Sequence, residues 1–344
     1  MGAAPPKPLG DLRAADGGAF GGKSASLGEL LHAGIPVPPG FALPAAAFTE
    51  FVAGAGLEGV IAQTLAAAGE GLGGTAAAAQ RIGDAIRAAE MPPALASEVT
   101  ASYMGLADGD SPVAVRSSAL GEDSAEATFA GQQETILWVR GADAVIDAVR
   151  VCWASLYSAE AISYRRRLEE SVPAMGVTVQ QMVDAAVSGV MFTCNPVSGD
   201  RSMVAINASW GLGLAVVGGE VTPDHLLVSK VTGEVVHETI ADKPVQYVPA
   251  PGGHGTERVA VDDEHRRMRC LDEPARTVLV ELARRVEGHF GSPQDVEWAI
   301  NADGELFVLQ SRPVTGLRER SAAPRPSSAM ALVMGTFGAN RQKG

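Results

Sequence analysis

The chain has 344 residues, of which 46% are apolar and 19% charged, enough to bury a sizeable core without a metal or disulfide staple. Aromatic residues are only 5%, so that core is built mainly from Ala, Val, Leu and Ile. Lys plus Arg number 27 against 40 Asp plus Glu, a net charge of −13, which argues against a nucleic-acid partner and against an anionic membrane surface.

In chain order, the first 105 or so residues read as mainly helical. Ser24 to His32 places Leu27, Leu30 and Leu31 on one face and stops at Gly34. Ala45 to Val52, Val60 to Ala68 and Ala76 to Ala89 follow as helices, and Met91-Pro92-Pro93 breaks the pattern. From Ser111 the texture turns to short β-rich runs: Val113–Arg116, Glu134–Val139, Val177–Val183, Gly189–Thr193, Met203–Ala208 and Leu226–Ser229. One long helix is expected over Ala144–Leu168, and another over Ala275–Phe290 ahead of a last pair of strands. Beyond Thr315 the composition becomes that of a Ser/Pro/Arg-rich linker and tail. The expected division is therefore 1–105 (mainly helical), 106–315 (β-rich) and 316–344 (flexible tail), in an α+β chain with mixed or antiparallel sheets rather than a doubly wound fold. No signal peptide or membrane span is expected. The three scattered cysteines, Cys152, Cys194 and Cys270, suit reduced thiols in a cytoplasmic protein.

Residues Gly17 to Ser24 satisfy G-x-x-x-x-G-K-[ST] literally. A true P-loop follows a buried strand, and Gly10 to Asp16 contains no strand-like run, so a P-loop NTPase is rejected. A Gly-Gly-Lys-Ser turn opening a helix still suits phosphate, through its backbone N–H groups and the Lys23 charge. Arg116 closes a short apolar strand beside a loop of small residues, a place from which a guanidinium can clamp phosphate oxygens. Gln180, in a strand that leads into a linker, can face a purine edge.

The last hairpin carries the sharpest spacing argument. If Asp303-Gly304 is a two-residue loop, Ile300 faces Phe307 and Trp298 faces Leu309 on an apolar side. Glu297 then falls opposite Gln310, and Asp295 opposite Arg312, on the other side. Opposed Cβ atoms lie ~5 Å apart, close enough for a carboxylate and an amide oxygen to share one hard cation such as Mg²⁺.

Taken together, several stretches resemble the ATP-binding domain of the phosphoenolpyruvate synthase and pyruvate phosphate dikinase family, which includes rifampicin phosphotransferase. They are Gly21 to Leu30, Val115-Arg116-Ser117-Ser118 with Glu122-Asp123, and Phe129-Ala130-Gly131-Gln132. In the same order follow Trp210-Gly211-Leu212-Gly213, Pro223-Asp224, Asp295-Val296-Glu297-Trp298 and Gln310-Ser311-Arg312-Pro313. The resemblance implies an ATP-grasp-like fold whose two lobes close on ATP, and an ATP-dependent phosphotransferase activity. Carried over, it gives Lys23 and Arg116 to the phosphates, Gly131 and Thr135 to the nucleotide site, and Gln180 to the adenine. It gives Glu297 and Gln310 to Mg²⁺, and Arg312 to the transferring phosphoryl group. Leu214 stands where the family commonly has Glu.

In the family the β-phosphoryl group passes to a histidine on a swivelling domain, leaving AMP. None of the six histidines here lies in a comparable motif, Gly252-Gly253-His254-Gly255 being the nearest. The expected acceptor is therefore a histidine on a partner chain that also carries the substrate domain. The alternatives are a stand-alone kinase or ligase acting on a small molecule, and an inactive nucleotide-binding partner. AMP, ADP or no product separates the three.

Overall fold

A computed structural model describes residues 4–69, 72–106, 109–120, 134–168 and 174–315. The stretch around Gly131 and the tail 316–344 lie outside the described residues. The chain opens with β1 (Lys7–Pro8), two 3-10 turns and the short α1 (Gly17–Phe20), then α2 (Gly22–His32) and β2 (Gly40–Leu43). Four helices follow: α3 (Ala45–Gly54), α4 (Glu58–Ala67), α5 (Leu72–Ala88) and α6 (Pro93–Met104). Next come β3 (Val113–Ala119), β4 (Thr135–Val139), α7 (Ala142–Ser155), α8 (Ala159–Leu168) and β5 (Met175–Gln181). The second half holds β6 (Ala185–Phe192), β7 (Met203–Trp210), α9 (Leu214–Val217), β8 (Asp224–Ser229) and β9 (Val235–Thr239). It ends with β10 (Val245–Pro249), β11 (Thr256–Ala260), α10 (Glu273–Phe290), β12 (Gln294–Asn301) and β13 (Leu306–Pro313).

Two antiparallel sheets organise these elements. The first has strand order β1-β2-β5-β3-β4 and the second β13-β12-β6-β7-β8-β9, while β10 and β11 form a separate two-stranded sheet. The texture change near residue 105 falls between α6 and β3, and the chain passes from the first sheet to the second at residues 182–184. The first core lies between the first sheet and helices α3 to α8, with Phe51, Ile82, Trp153 and Val177 fully buried. The Phe51 and Trp153 rings pack at 5.1 Å between centroids. The second core lies between the second sheet, α10 and α2, and includes Leu27, Leu30, Val286 and Trp298. This is the expected α+β architecture, with helices packed on antiparallel sheets. Among the described residues no single helix is long and apolar enough to cross a membrane.

Local chemistry sets the element ends. Helix α10 starts where the Asp272 carboxylate accepts the Ala275 N–H at 2.9 Å, and it stops at Gly291, whose φ is 70°. The long helix expected over 144–168 is two helices. Leu156 and Tyr157 leave the helical path with i−3 hydrogen bonds and bury in the first core, and Ser158 restarts the helix by accepting the Ala161 N–H at 3.1 Å.

The final hairpin also departs from expectation. Its loop is three residues, Ala302 to Gly304, closed by Asn301 N–H to the Glu305 carbonyl at 3.1 Å, with Gly304 left-handed at φ 80°. Trp298 therefore faces Val308, and Ile300 faces Leu306, not Leu309 and Phe307. A bulge between Glu297 and Trp298 then inserts Leu309 and restores the expected pairs: Glu297 lies opposite Gln310 and Asp295 opposite Arg312.

Gly21 fixes how α2 meets the first sheet. Its φ is +86°, and a Cβ there would stand 2.2 Å from Ser118 Oγ and 2.3 Å from the Ser118 carbonyl. Gly21→Ala is expected to cost about 1–3 kcal/mol in backbone strain alone. With the steric clash added, the melting temperature should fall by roughly 5 °C or more. Calorimetry showing an unchanged transition would contradict this close approach.

Candidate functional site

The two sheets face each other across a cleft of about 310 Å³. Helix α2 aims its first turn into it. Ser24 Oγ bonds Thr178 Oγ1 on β5 at 2.7 Å, and Ser26 Oγ donates to the Ser311 carbonyl on β13 at 2.8 Å. With its N-terminus bolted to both sheets, α2 holds Lys23 at the cleft. Lys23 Nζ donates to the Ser117 carbonyl at 3.0 Å and is 8% exposed.

Arg116 enters from β3. Its Nη1 donates to the Leu309 carbonyl at 3.1 Å and stands 3.8 Å from Glu297 Oε2. The inserted residue at the bulge thus supplies the acceptor that links β3 of one sheet to β13 of the other. Thr135 lies beside Arg116 as its cross-strand partner on β4. From the second sheet come Glu297, Gln310 and Arg312. Arg312 is clasped by Asp295, Nε to Oδ2 at 2.9 Å and Nη2 to Oδ2 at 2.8 Å. Burial pushes the Asp295 carboxyl above its ordinary value, with Arg312 opposing the shift.

Gln180 occupies the strand-end side, 1% exposed, between β2 and β3. Its Nε2 and the Nε of Arg116 are buried donors with no partner among the described residues. Unsatisfied buried donors are costly, and both residues line the cleft. Glu297 and Gln310 present one carboxylate and one amide oxygen. Among the described residues no three His, Cys, Asp or Glu side chains gather as a metal cage. That donor set fits Mg²⁺, which takes few protein ligands and completes its shell with phosphate oxygens and water.

Lys23, Arg116, Thr135, Gln180, Glu297, Gln310 and Arg312 thus line one cleft, and Gly131 lies outside the described residues. The segment before Lys23 is a pair of 3-10 turns and α1 rather than a strand from the cleft's sheet, so the Gly17–Ser24 match is not a P-loop. Sequence reasoning named no site residue on the opposite wall, formed by Ser188 and Val190 of β6 with Leu212, Leu214 and Val216. The Gly211-Leu212-Gly213 run was its signal, since paired glycines mark a backbone turn or close approach.

Residues 18–331 match the pyruvate phosphate dikinase AMP/ATP-binding domain family, and the chain belongs to that family. It is 43% identical over 331 residues to a probable phosphoenolpyruvate synthase of Methanothermobacter thermautotrophicus, covering 93% of this chain and 47% of that protein. It is 39% identical over 348 residues to the phosphoenolpyruvate synthase of Pyrococcus furiosus, covering 88% of this chain and 43% of that one. With a rifampicin phosphotransferase of Streptomyces sp the identity is 40% over 313 residues, covering 90% of this chain and 36% of that one. The chain spans about half the length, or less, of these curated relatives. Among solved structures, D-alanyl-alanine synthetase A of Vibrio cholerae aligns with a TM-score of 0.34 at 11% identity, covering 95% of this chain and 66% of that chain. An ADP complex of N5-carboxyaminoimidazole ribonucleotide synthetase aligns with a TM-score of 0.33 at 10% identity, covering 86% of this chain and 45% of that chain. Likeness at that level carries no argument about this chain.

The raised Asp295 carboxyl has a sign that can be measured. A carboxyl that binds its proton more tightly when folded loses stability as pH rises from the ordinary Asp value, about 3.9, toward its folded value. Asp295→Asn removes that loss. The melting temperature of the variant relative to the unsubstituted chain should therefore rise as pH goes from about 4 toward neutrality. A difference that stays flat, or falls, would contradict the burial assigned to this carboxyl.

Proposed function

We propose that the cleft binds Mg-ATP, and that the chain is the ATP-binding module of a phosphotransferase of the phosphoenolpyruvate synthase and pyruvate phosphate dikinase type. The phosphoryl group goes to a histidine on a separate partner chain. The observation that carries the reading is the convergence of Lys23, Arg116 and Arg312 with the Glu297/Gln310 pair at one cleft, beside the unpartnered Gln180 amide. No histidine lines that cleft among the described residues, which supports an acceptor supplied from elsewhere.

On this reading Lys23 and the first turn of α2 bind phosphate oxygens through the ammonium and backbone N–H groups. Arg116 binds them through its planar fork while its contact to the Leu309 carbonyl keeps it across the lobes. Glu297 and Gln310 would hold Mg²⁺, which supplies neutralisation of the phosphate charge. Asp295 orients Arg312 toward the transferring group. Phosphoryl transfer asks for positioning and charge neutralisation more than for covalent chemistry, and these side chains supply both. The three free, buried cysteines suit a cytoplasmic location.

Leu214 favours a second reading. It lines the cleft where the family commonly has an acid, so nucleotide binding without turnover is the competing outcome.

Mg-ATP at about a hundred times its dissociation constant should stabilise the chain by about 2.7 kcal/mol. No thermal shift at millimolar Mg-ATP would sink the reading. Glu297→Gln should weaken the magnesium dependence and leave the fold intact. With β-labelled ATP and a histidine-bearing domain taken from a full-length relative, label should appear on that domain and AMP be released. ADP formation would point instead to a kinase acting on a small molecule. The same experiment should leave the chain alone unlabelled, and His254→Ala should behave as the unsubstituted protein.

A further inference from the structure

The cleft wall around residues 211–220 has little structure of its own. Between the end of β7 at Trp210 and the start of β8 at Asp224 its only regular element is the single turn of α9. Leu212, Leu214 and Val216 nevertheless line the cleft, so the segment must be held from outside.

The β10–β11 hairpin holds it, largely through Tyr247. The Tyr247 carbonyl accepts the Leu212 N–H at 2.9 Å. Gly211 permits this approach: its φ is +71°, and a Cβ there would stand 2.5 Å from the Tyr247 carbonyl oxygen. At the far end of the wall, the Tyr247 hydroxyl donates to Glu220 Oε1 at 2.6 Å. Arg258, directly opposite Tyr247 on β11, donates from Nε to Glu220 Oε2 at 3.1 Å. The Tyr247 hydrogen bond first, and Arg258 second, hold the Glu220 carboxyl below its ordinary value. Glu220 in turn closes its own N–H on the Ala215 carbonyl at 3.0 Å. One residue therefore brackets the wall, its backbone at residue 212 and its side chain at residue 220.

The hairpin is a firm support for this grip. Just before β10, the Lys243 ammonium meets Asp224 Oδ1 at 2.5 Å, with both side chains almost wholly buried. Val245 packs with Ala215 and Val221 beneath the wall. At the hairpin's tip, the Gly255 N–H donates to the Trp138 carbonyl on β4 at 2.9 Å, which references the hairpin to the first sheet.

We propose that Tyr247, acting with Glu220 and Arg258, is a positioning residue for the nucleotide cleft: it fixes the Leu212–Val216 wall against which the nucleotide rests, without touching the nucleotide. The proposal rests on the reading of the cleft as a nucleotide site.

The test uses the full chain and the variants Tyr247→Phe, Glu220→Ala and the pair together. Without nucleotide, hydrogen exchange at the amides of residues 212–220 should speed up about tenfold in each single variant. The double variant should exchange within about twofold of the Glu220→Ala single, because that substitution already removes the Tyr247 hydroxyl's acceptor. The dissociation constant for Mg-ATP should rise about tenfold in each, with the melting transition unchanged. Unchanged exchange in 212–220 overturns the proposal, and so does faster exchange spread through the second core. If the unsubstituted chain binds Mg-ATP and the variants bind it equally despite a loosened wall, the positioning role is overturned. If the unsubstituted chain does not bind Mg-ATP, the nucleotide reading and the role built on it both fall, and the exchange data alone then report what Tyr247 holds.

Discussion

The contact between Arg116 and the Leu309 carbonyl is the constraint around which the cleft is arranged. It joins β3 of the first sheet to β13 of the second, and it exists because one residue too many sits in β13. A three-residue hairpin loop without the bulge would set Glu297 opposite Leu309 and bring Gln310 opposite Val296. The inserted Leu309 moves the partner by one position, so Glu297 and Gln310 meet on one face. The same insertion removes the Leu309 carbonyl from the regular ladder and leaves it for the guanidinium. Turn, bulge and cross-lobe hydrogen bond therefore stand or fall together.

Charge is placed against the average of the molecule. The chain carries −13 overall, yet three cationic side chains, Lys23, Arg116 and Arg312, meet at one cleft. Each is held by an acceptor of the protein: a carbonyl for Lys23, a carbonyl with a more distant carboxylate for Arg116, and a carboxylate for Arg312. Groups fixed in this way need little reorganisation when an anionic ligand arrives, which is the physical content of preorganisation. Two further donors, Arg116 Nε and Gln180 Nε2, are buried without partners among the described residues.

Much of this was legible in the sequence because local rules decide it. The leucine spacing after Gly21-Gly22-Lys23 marked α2, and the Asp303-Gly304 pair marked the last turn. The Glu297/Gln310 and Asp295/Arg312 pairings came out correctly for a partly wrong reason. The loop is one residue longer than expected, and the bulge compensates for it. A bulge leaves no local signature when both flanking positions are apolar, as Val308 and Leu309 are. The break at Leu156–Ser158 was hidden in the same way, since Leu156 and Tyr157 continue an apolar pattern and only Ser158 signals a new start. The wall at residues 211–220 was legible only as the Gly211-Leu212-Gly213 run, for another reason. Its shape comes from Tyr247, Glu220 and Arg258, whose meeting is a tertiary fact that neither periodicity nor composition encodes.

Helix α2 packs in the second core, and its Ser26 reaches a carbonyl 285 residues further along the chain. This separation dictates an order of events during synthesis. Every strand of the first sheet has been made once Gln181 emerges from the ribosome, whereas the second sheet waits for β12 and β13. Helix α2, made near the start, shares the second core with early residues such as Leu9, Leu12 and Phe20, but also with Trp298 and Val308, which lie almost at the end of the described chain. The first sheet can therefore be complete while the cover that β12 and β13 give to α2 is still to be made.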